Sequence, residues 1–219
     1  MTFDGQIAAG SATPGEYCAG VGHAPEEVIR LLGERRRREE QIVEPCRLDL
    51  LPLTRLIGYI IDKHHVYARR QVAAIAALLA KLSAGHENSP PELARVRGLF
   101  KVLRQELLFH MEKEEVSLFP QIIRTETNLC RPEPPAAPDF GPMRDPVRML
   151  MHEHDQLCAM LDEIRAATDD YTPPRGGGAS YRALCQSLRD LEFNLLQLIH
   201  LEDSVLFPRA LGAEPRRHS

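Results

Sequence analysis

The sequence contains no tryptophan, and aromatic residues make up only 5% of its 219 residues. Alternating runs of β-branched and aromatic residues, which are typical of strands, are nearly absent. No apolar run reaches the roughly 20 residues that a membrane-spanning helix needs, and the N-terminus lacks the charged start and apolar stretch of a secretory signal. We therefore expect an all-α protein in the cytoplasm, with no membrane partner.

Cysteine and positive charge are also limited. The five cysteines are odd in number and form no Cys-x-x-Cys pair, so neither a disulfide framework nor a zinc knuckle is indicated. The formal net charge of -4 argues against a general nucleic-acid binder. The basic run Arg35–Arg38 is followed at once by Glu39 and Glu40, which is typical of a solvated helix face.

Apolar residues recur at helical spacing in several segments, and 43% hydrophobic content is enough for a bundle core. The spacing predicts four helices, over about 51–83, 89–123, 142 or 146 to 168, and 180–211. Pro120 lies inside the second segment, where we expect a kink or a break. The Pro-rich stretch Arg131–Pro142 predicts a crossover loop between the two halves.

The first part of the chain has a different composition. Residues 1–24 are rich in Gly, Ala and Pro, and we expect them to be disordered, with a short helix from Pro25 to about Val43. We therefore predict an N-terminal extension over 1–48 and a helical bundle over 49–213.

One motif occurs twice. The segment HMEKEEVSLFP, which begins at His110, recurs as LIHLEDSVLFP, which begins at Leu198. Aligning the two Leu-Phe-Pro ends places Glu114 on Glu202 and His110 on Leu198. The repeat predicts two helical hairpins of similar length.

A His and a Glu four residues apart lie roughly 40° apart around a helix and about one turn apart along it, so both can reach the same atom. His110 and Glu114 have this spacing, and imidazole with carboxylate suits iron, manganese or zinc. Glu106 lies one turn before His110 and is a candidate outer hydrogen-bond acceptor. We expect Glu112 and Glu115 to be surface charges, because they point in other directions.

The partner helices each offer one further histidine. His65 precedes Pro120 by 55 residues, and His154 precedes Pro208 by 54. Apolar residues four before and seven after His65 place it on the inner face, whereas we expect the adjacent His64 to be partly exposed. The repeat register selects His154 as the inward histidine and leaves His152 outside.

These motifs together resemble the hemerythrin-like proteins with HHE cation-binding motifs, and within them the iron-sulfur cluster repair di-iron family. The resemblance covers about 50–211 and rests on His64-His65, His110-Met-Glu-Lys-Glu114-Glu, Glu153-His154-Asp155, and His200-Leu-Glu202, with both Leu-Phe-Pro ends. Further upstream, Tyr17-Cys18-Ala19-Gly20 looks like a shortened remnant of the small Cys-containing domain with which family members often begin.

The resemblance implies a hemerythrin-like up-down four-helix bundle holding two irons, with His65 and His110 on one iron. His154 and a histidine of the fourth helix would hold the other iron, and Glu114 and Glu202 would bridge the two. It also implies a role in repairing iron-sulfur clusters damaged by nitric oxide or oxidative stress. The expected partners are damaged iron-sulfur proteins and nitric oxide or dioxygen.

The chain departs from the family at one ligand position, because the fourth-helix histidine is expected four residues before Glu202 and that residue is Leu198. Three outcomes follow: an asymmetric di-iron site, a mononuclear site at His65, His110 and Glu114, or a site that no longer retains metal. Compensation by Cys158, by His200 or by water stays open. The alternative functions are a hemerythrin-like sensor or carrier of dioxygen or nitric oxide, and a metal-depleted helical interaction module.

Overall fold

The computed structural model describes residues 48–84, 91–129 and 142–213. The described chain contains helices and turns but no strand, which confirms the all-α prediction. No helix in these ranges is long and apolar enough to cross a membrane. The N-terminal extension with its predicted helix and its Tyr17-Cys18 segment, the predicted helix start at Ser89 and nearly all of the Pro-rich crossover lie outside the described residues.

Four bundle helices, which we number α1–α4, account for most of the described chain. Helix α1 runs through Leu53–Tyr59, a π-helical segment Ile60–His65 and Val66–Ala84, after a short 3₁₀ turn at Leu48–Leu50. Helix α2 runs through Pro91–Lys113, a π-helical segment Glu114–Leu118 and Phe119–Leu129. Helix α3 is Arg144–Ala167. Helix α4 runs through Ala179–Leu201, a π-helical segment Glu202–Leu206 and Phe207–Ala213.

The helices alternate in direction around one core. Helix α1 packs along α4, and α2 packs along α3. The start of α1 meets the ends of both α2 and α4, since Glu126 bonds to the backbone of Leu53 and Arg209 donates to the carbonyl of Leu51. Leucine, isoleucine, methionine and phenylalanine side chains fill the interior. Each such side chain contributes roughly 1.5–3 kcal/mol when it is fully buried.

Three of the four helices widen into π-helical turns near the middle of the bundle. In α2 the Phe119 N–H donates to the carbonyl of Glu114, five residues back, and in α4 the Phe207 N–H donates in the same way to Glu202. The next residue is proline in both helices. Proline has no N–H to donate, and its ring would clash with the carbonyl four residues back.

Of the two outcomes expected at Pro120, the break is wrong, and the kink stays a prediction. Helix α2 continues to Leu129 and absorbs the proline in a wider turn. The π-helical turn of α1 is followed by no proline, so the sequence gives no local reason for it.

The first backbone N–H groups of α1 donate to a side chain of another helix. Pro52 precedes α1 and provides no side-chain cap. The Glu126 carboxylate on α2 instead accepts from the N–H groups of Leu53 at 2.6 Å and Thr54 at 2.8 Å, and from the Thr54 hydroxyl at 2.7 Å. This contact satisfies backbone donors that a helix N-terminus otherwise leaves unpaired and joins α1 to α2.

Replacing Glu126 with alanine should lower the free energy of unfolding by about 1–2 kcal/mol, because it removes a cap to two backbone donors. Denaturant unfolding of the Glu126→Ala variant measures this loss. Glu112→Ala is the matched control, since Glu112 is an exposed glutamate on the same helix. Equal stability of the two variants would contradict the capping role.

Candidate metal centre

Two glutamates that are completely enclosed by protein lie at the middle of the bundle. The side chains of Glu114 on α2 and Glu202 on α4 are 0% exposed. His65 on α1, His110 on α2 and His154 on α3 surround them, and each imidazole is almost fully buried. The structure thus brings all five predicted site residues together at the positions where three helices widen.

One side of this cluster contains two histidines. His110 Nε2 lies 3.5 Å from Glu114 Oε1, and His154 Nε2 lies 3.3 Å from Glu202 Oε2. The two imidazole Nε2 atoms are 3.0 Å apart. These four residues can each offer one ligand atom so that all four atoms lie within 4.8 Å of one another.

The other side contains one histidine. His65 Nε2 lies 3.4 Å from Glu114 Oε2 and 3.8 Å from Glu202 Oε1, so it meets the second oxygen of each carboxylate. The resemblance implies that His65 and His110 share one iron, whereas in the structure the Nε2 atom of His110 lies beside that of His154. The physical reason is helix packing: α2 lies along α3, which brings together histidines from different halves of the repeat.

Each imidazole is oriented by a carboxylate on its other ring nitrogen. The Nδ1 atoms of the three histidines lie 2.7–3.0 Å from carboxylate oxygens, in the pairs His65–Glu115, His154–Asp203 and His110–Glu153. Such bonds favour the tautomer with Nδ1–H and leave Nε2 as the atom directed at the two central glutamates.

Two of the outer carboxylates are held by cations of their own. Arg69 donates to both oxygens of Glu115, at 2.8 and 3.0 Å, and Lys113 donates to Glu153. These contacts hold the carboxylates in place and balance their charge.

Two predictions about the outer residues are wrong. Glu106 is exposed, and Glu153 on α3 is the acceptor for His110. Glu115 is bonded to His65 although surface exposure was expected. It follows Glu114 inside a π-helical turn, where successive side chains diverge less around the axis than in an α-helix, so both glutamates reach His65. Glu112 is exposed, as predicted.

His64 is also placed differently from the expectation of partial exposure. It is 7% exposed, and its Nδ1 lies 3.1 Å from Nδ2 of Asn194 on α4. The π-helical segment Ile60–His65 turns both adjacent histidines into the bundle, which regular helix geometry does not predict. His152 is exposed, which confirms its predicted position outside.

The position aligned with His110 in the second half is filled by a hydrocarbon side chain. Leu198 is 2% exposed and is part of the hydrophobic core. Cys158 is buried on α3 but is not among the clustered ligands of the described residues, and burial raises the pKa of its thiol to about 12. His200 is exposed and lies beside Ser204. The geometry therefore brings neither Cys158 nor His200 into the cluster.

The central charges shift the titration of the buried residues strongly. Burial by itself lowers the pKa of His65, but the carboxylates of Glu114 and Glu202 outweigh it and raise that pKa to about 10. The pKa of His154 is likewise about 10, because Asp203 and Glu202 outweigh burial. For Glu114, burial opposes ionisation, yet the nearby His110 and His65 hold its pKa well below its ordinary value. Without another cation, the cluster holds protons instead.

Comparison with known proteins is consistent with this site. Residues 56–210 match the hemerythrin HHE cation-binding domain. The iron-sulfur cluster repair protein YtfE of Edwardsiella ictaluri is 35% identical over 164 residues, which are 74% of this chain and 67% of that protein. The YtfE protein of Yersinia pseudotuberculosis serotype O:1b is 31% identical over 163 residues, 74% of this chain and 68% of that protein. The resemblance seen in the sequence is thereby confirmed, and the chain belongs to the hemerythrin HHE cation-binding domain family.

Proposed function

We propose that this protein binds non-haem iron at the central cluster and acts in the repair of iron-sulfur clusters. The observation that carries the proposal is the pair of buried glutamates surrounded by three buried histidines in a family of cation-binding domains. The relatives named as iron-sulfur cluster repair proteins supply the biological role. We further propose a cytoplasmic location, damaged iron-sulfur proteins as clients, and nitric oxide or dioxygen as small-molecule partners.

The residues present fit a metal ion. Among the described residues, both oxygens of Glu114, both oxygens of Glu202 and Nε2 of His65 are buried without a hydrogen-bond partner. Ionised carboxylates buried without compensation are costly, so native proteins pair them or use them to coordinate metals. Imidazole and carboxylate together suit iron, although they do not by themselves exclude manganese or zinc.

We infer two candidate metal positions, because each glutamate directs one oxygen to each side of the cluster. The first position is formed by His110, His154, Glu114 Oε1 and Glu202 Oε2. The second position is formed by His65, Glu114 Oε2 and Glu202 Oε1. Glu114 and Glu202 would therefore contribute to both positions, and the three histidines would contribute through Nε2.

Ferrous iron, when bound, supplies a redox-active cation that can bind nitric oxide or dioxygen at an open coordination position. The protein residues fix where that cation sits. Glu115, Glu153 and Asp203 keep the imidazoles in the ligating tautomer, and the surrounding apolar core limits access of water to the carboxylates.

Protein purified without oxygen should contain iron, with about two ions per chain if both positions fill. Glu202→Ala should lose most of this iron, because it removes one carboxylate from both positions. His152→Ala is the matched control, since His152 is an exposed histidine two residues from His154. Elemental analysis checks the metal, and absence of iron from all three proteins would contradict iron binding.

The repair role needs its own assay. Iron-loaded protein should restore the activity of an iron-sulfur enzyme inactivated by nitric oxide, and the Glu202→Ala variant should not. Reversible binding of dioxygen or nitric oxide with no recovery of the client enzyme would instead identify a sensor or carrier.

Replacing Glu115 with alanine should weaken metal binding by roughly 10- to 100-fold, because His65 loses the acceptor that orients it. Competition with a chelator of known affinity measures the change. Glu112→Ala is the control on the same helix, and its affinity should match that of the native protein. An unchanged affinity in Glu115→Ala would show that this hydrogen bond does not support the site.

The metal-free protein should lose stability as the pH rises above neutrality. The pKa values of His65 and His154 are about 10 in the folded chain, against an ordinary value of 6.5. The folded chain therefore binds these protons more tightly than the unfolded chain does. The resulting stabilisation is complete below about pH 6.5 and is lost as the pH rises through about 10. Metal replaces these protons, so the iron-loaded protein should lack this decline. Denaturant midpoints of both forms measured from pH 6 to 10 test the difference, and coincident profiles would contradict it.

A further inference from the structure

We propose that the two metal positions differ in retention: the first holds its ion firmly, and the second, beside His65, exchanges its ion readily. This inference rests on the proposed iron binding. It identifies the second position as the source of any iron that the protein passes to a client.

The internal repeat assigns Leu198 to the second position. The inner contacts of the two halves correspond, since His154 lies 3.3 Å from Glu202 as His65 lies 3.4 Å from Glu114. In the first position, His154 lies on the first helix of the second half of the repeat. It meets His110, which lies on the second helix of the first half. His65 lies on the first helix of the first half, so its expected partner lies on the second helix of the second half. The residue of that helix that aligns with His110 is Leu198.

Helix packing agrees with this assignment. Helix α2 lies along α3, where His110 meets His154, and α1 lies along α4 in the same way. Leu198 on α4 is buried and aligns with His110 in the repeat. A leucine side chain has no lone pair to offer, so the second position keeps one imidazole where the first keeps two.

No described neighbour supplies the missing nitrogen. His64 is the nearest candidate in sequence, but it packs against Tyr59 and Asn194, whereas the described histidines that meet Glu114 or Glu202 are His65, His110 and His154. His200 is exposed, and Cys158 lies on α3 with a thiol whose burial opposes ionisation. Water is the remaining donor, and it exchanges more readily than a side chain fixed in the core.

The charges of the carboxylates and of the first ion also weaken binding at the second position. Glu114 and Glu202 together carry two negative charges, which one ferrous ion neutralises. A second ferrous ion would then bind to carboxylates that already share a cation, and it would be repelled by the first ion. The second position has fewer protein ligands, so its ion is the one that binds more weakly. Since loss of an outer hydrogen-bond partner alone weakens metal binding roughly 10- to 100-fold, loss of a direct ligand should make the second position at least ~10-fold more labile.

The test is the removal of iron by a chelator. Protein loaded with ferrous iron under anaerobic conditions is mixed with excess ferrozine, and the coloured ferrous complex is followed with time. We expect two phases of similar amplitude whose rates differ by at least ~10-fold. His65→Ala should abolish the fast phase and keep the slow one, whereas His154→Ala should reduce the slow phase.

Leu198→His should slow the fast phase toward the rate of the slow one, and Leu198→Ala is the matched control that shortens the side chain without adding a ligand. Circular dichroism checks that each variant keeps its helices. A single phase in the native protein, or loss of the slow phase in His65→Ala, would overturn the proposal. Native protein that holds only one ion, unaffected by His65→Ala, would overturn it as well. Two-phase release with no recovery of a damaged client would refute the repair role and leave this inference intact.

Discussion

Burial of two carboxylates at the centre of a helical bundle is the constraint on which the rest of this structure depends. Glu114 and Glu202 are fully enclosed, and their four oxygens have no hydrogen-bond donor in the part of the chain that the structure describes. Such groups are tolerated in a core only when positive charge compensates them. His65 and His154, whose pKa values are raised to about 10, provide that compensation as protonated rings in the metal-free protein. All three imidazoles would provide metal ligands in the loaded one. The site therefore has a structural role as well as a chemical one.

The helices meet this constraint by local changes in backbone geometry. Wider turns occur at His65, Glu114 and Glu202, and each keeps the helix continuous while changing the direction of the side chains that follow. Because of this, neighbouring residues such as Glu114 and Glu115 can both approach one imidazole, on opposite ring nitrogens. π-helical turns of this kind are frequent at functional sites. Carboxylates therefore lie on both sides of the histidines, with Glu114 and Glu202 inside and Glu115 and Asp203 outside.

The two halves of the site differ by one nitrogen donor, because a single residue of the repeat, Leu198, replaces a histidine. The outer bonds of His65 and His154 match closely, at 2.7 and 2.9 Å, so the two halves retain the same support. Leu198 changes only the number of nitrogen donors and adds apolar volume to the core. A bundle can accept this change without loss of packing, since leucine fills buried space well. The two halves therefore differ in the number of nitrogen donors, and also in backbone, since α1 has a π-helical turn ending at His65 and α3 is α-helical around His154.

Particular residues show which features of the fold and the site could be predicted from the sequence. Helical periodicity and the repeat predicted the four helices and the five inward site residues, because a residue's face on a helix depends on its spacing from its neighbours. Spacing could not predict the roles of Glu115 and His64, since the π-helical turns change the local periodicity. It also could not predict that His110 meets His154, or that Glu153 is the acceptor for His110. Those contacts cross between helices, and only the packing of α2 against α3 decides which side chains face each other. The sequence alone thus determined which residues point inward, and the tertiary structure decided which of them share a position.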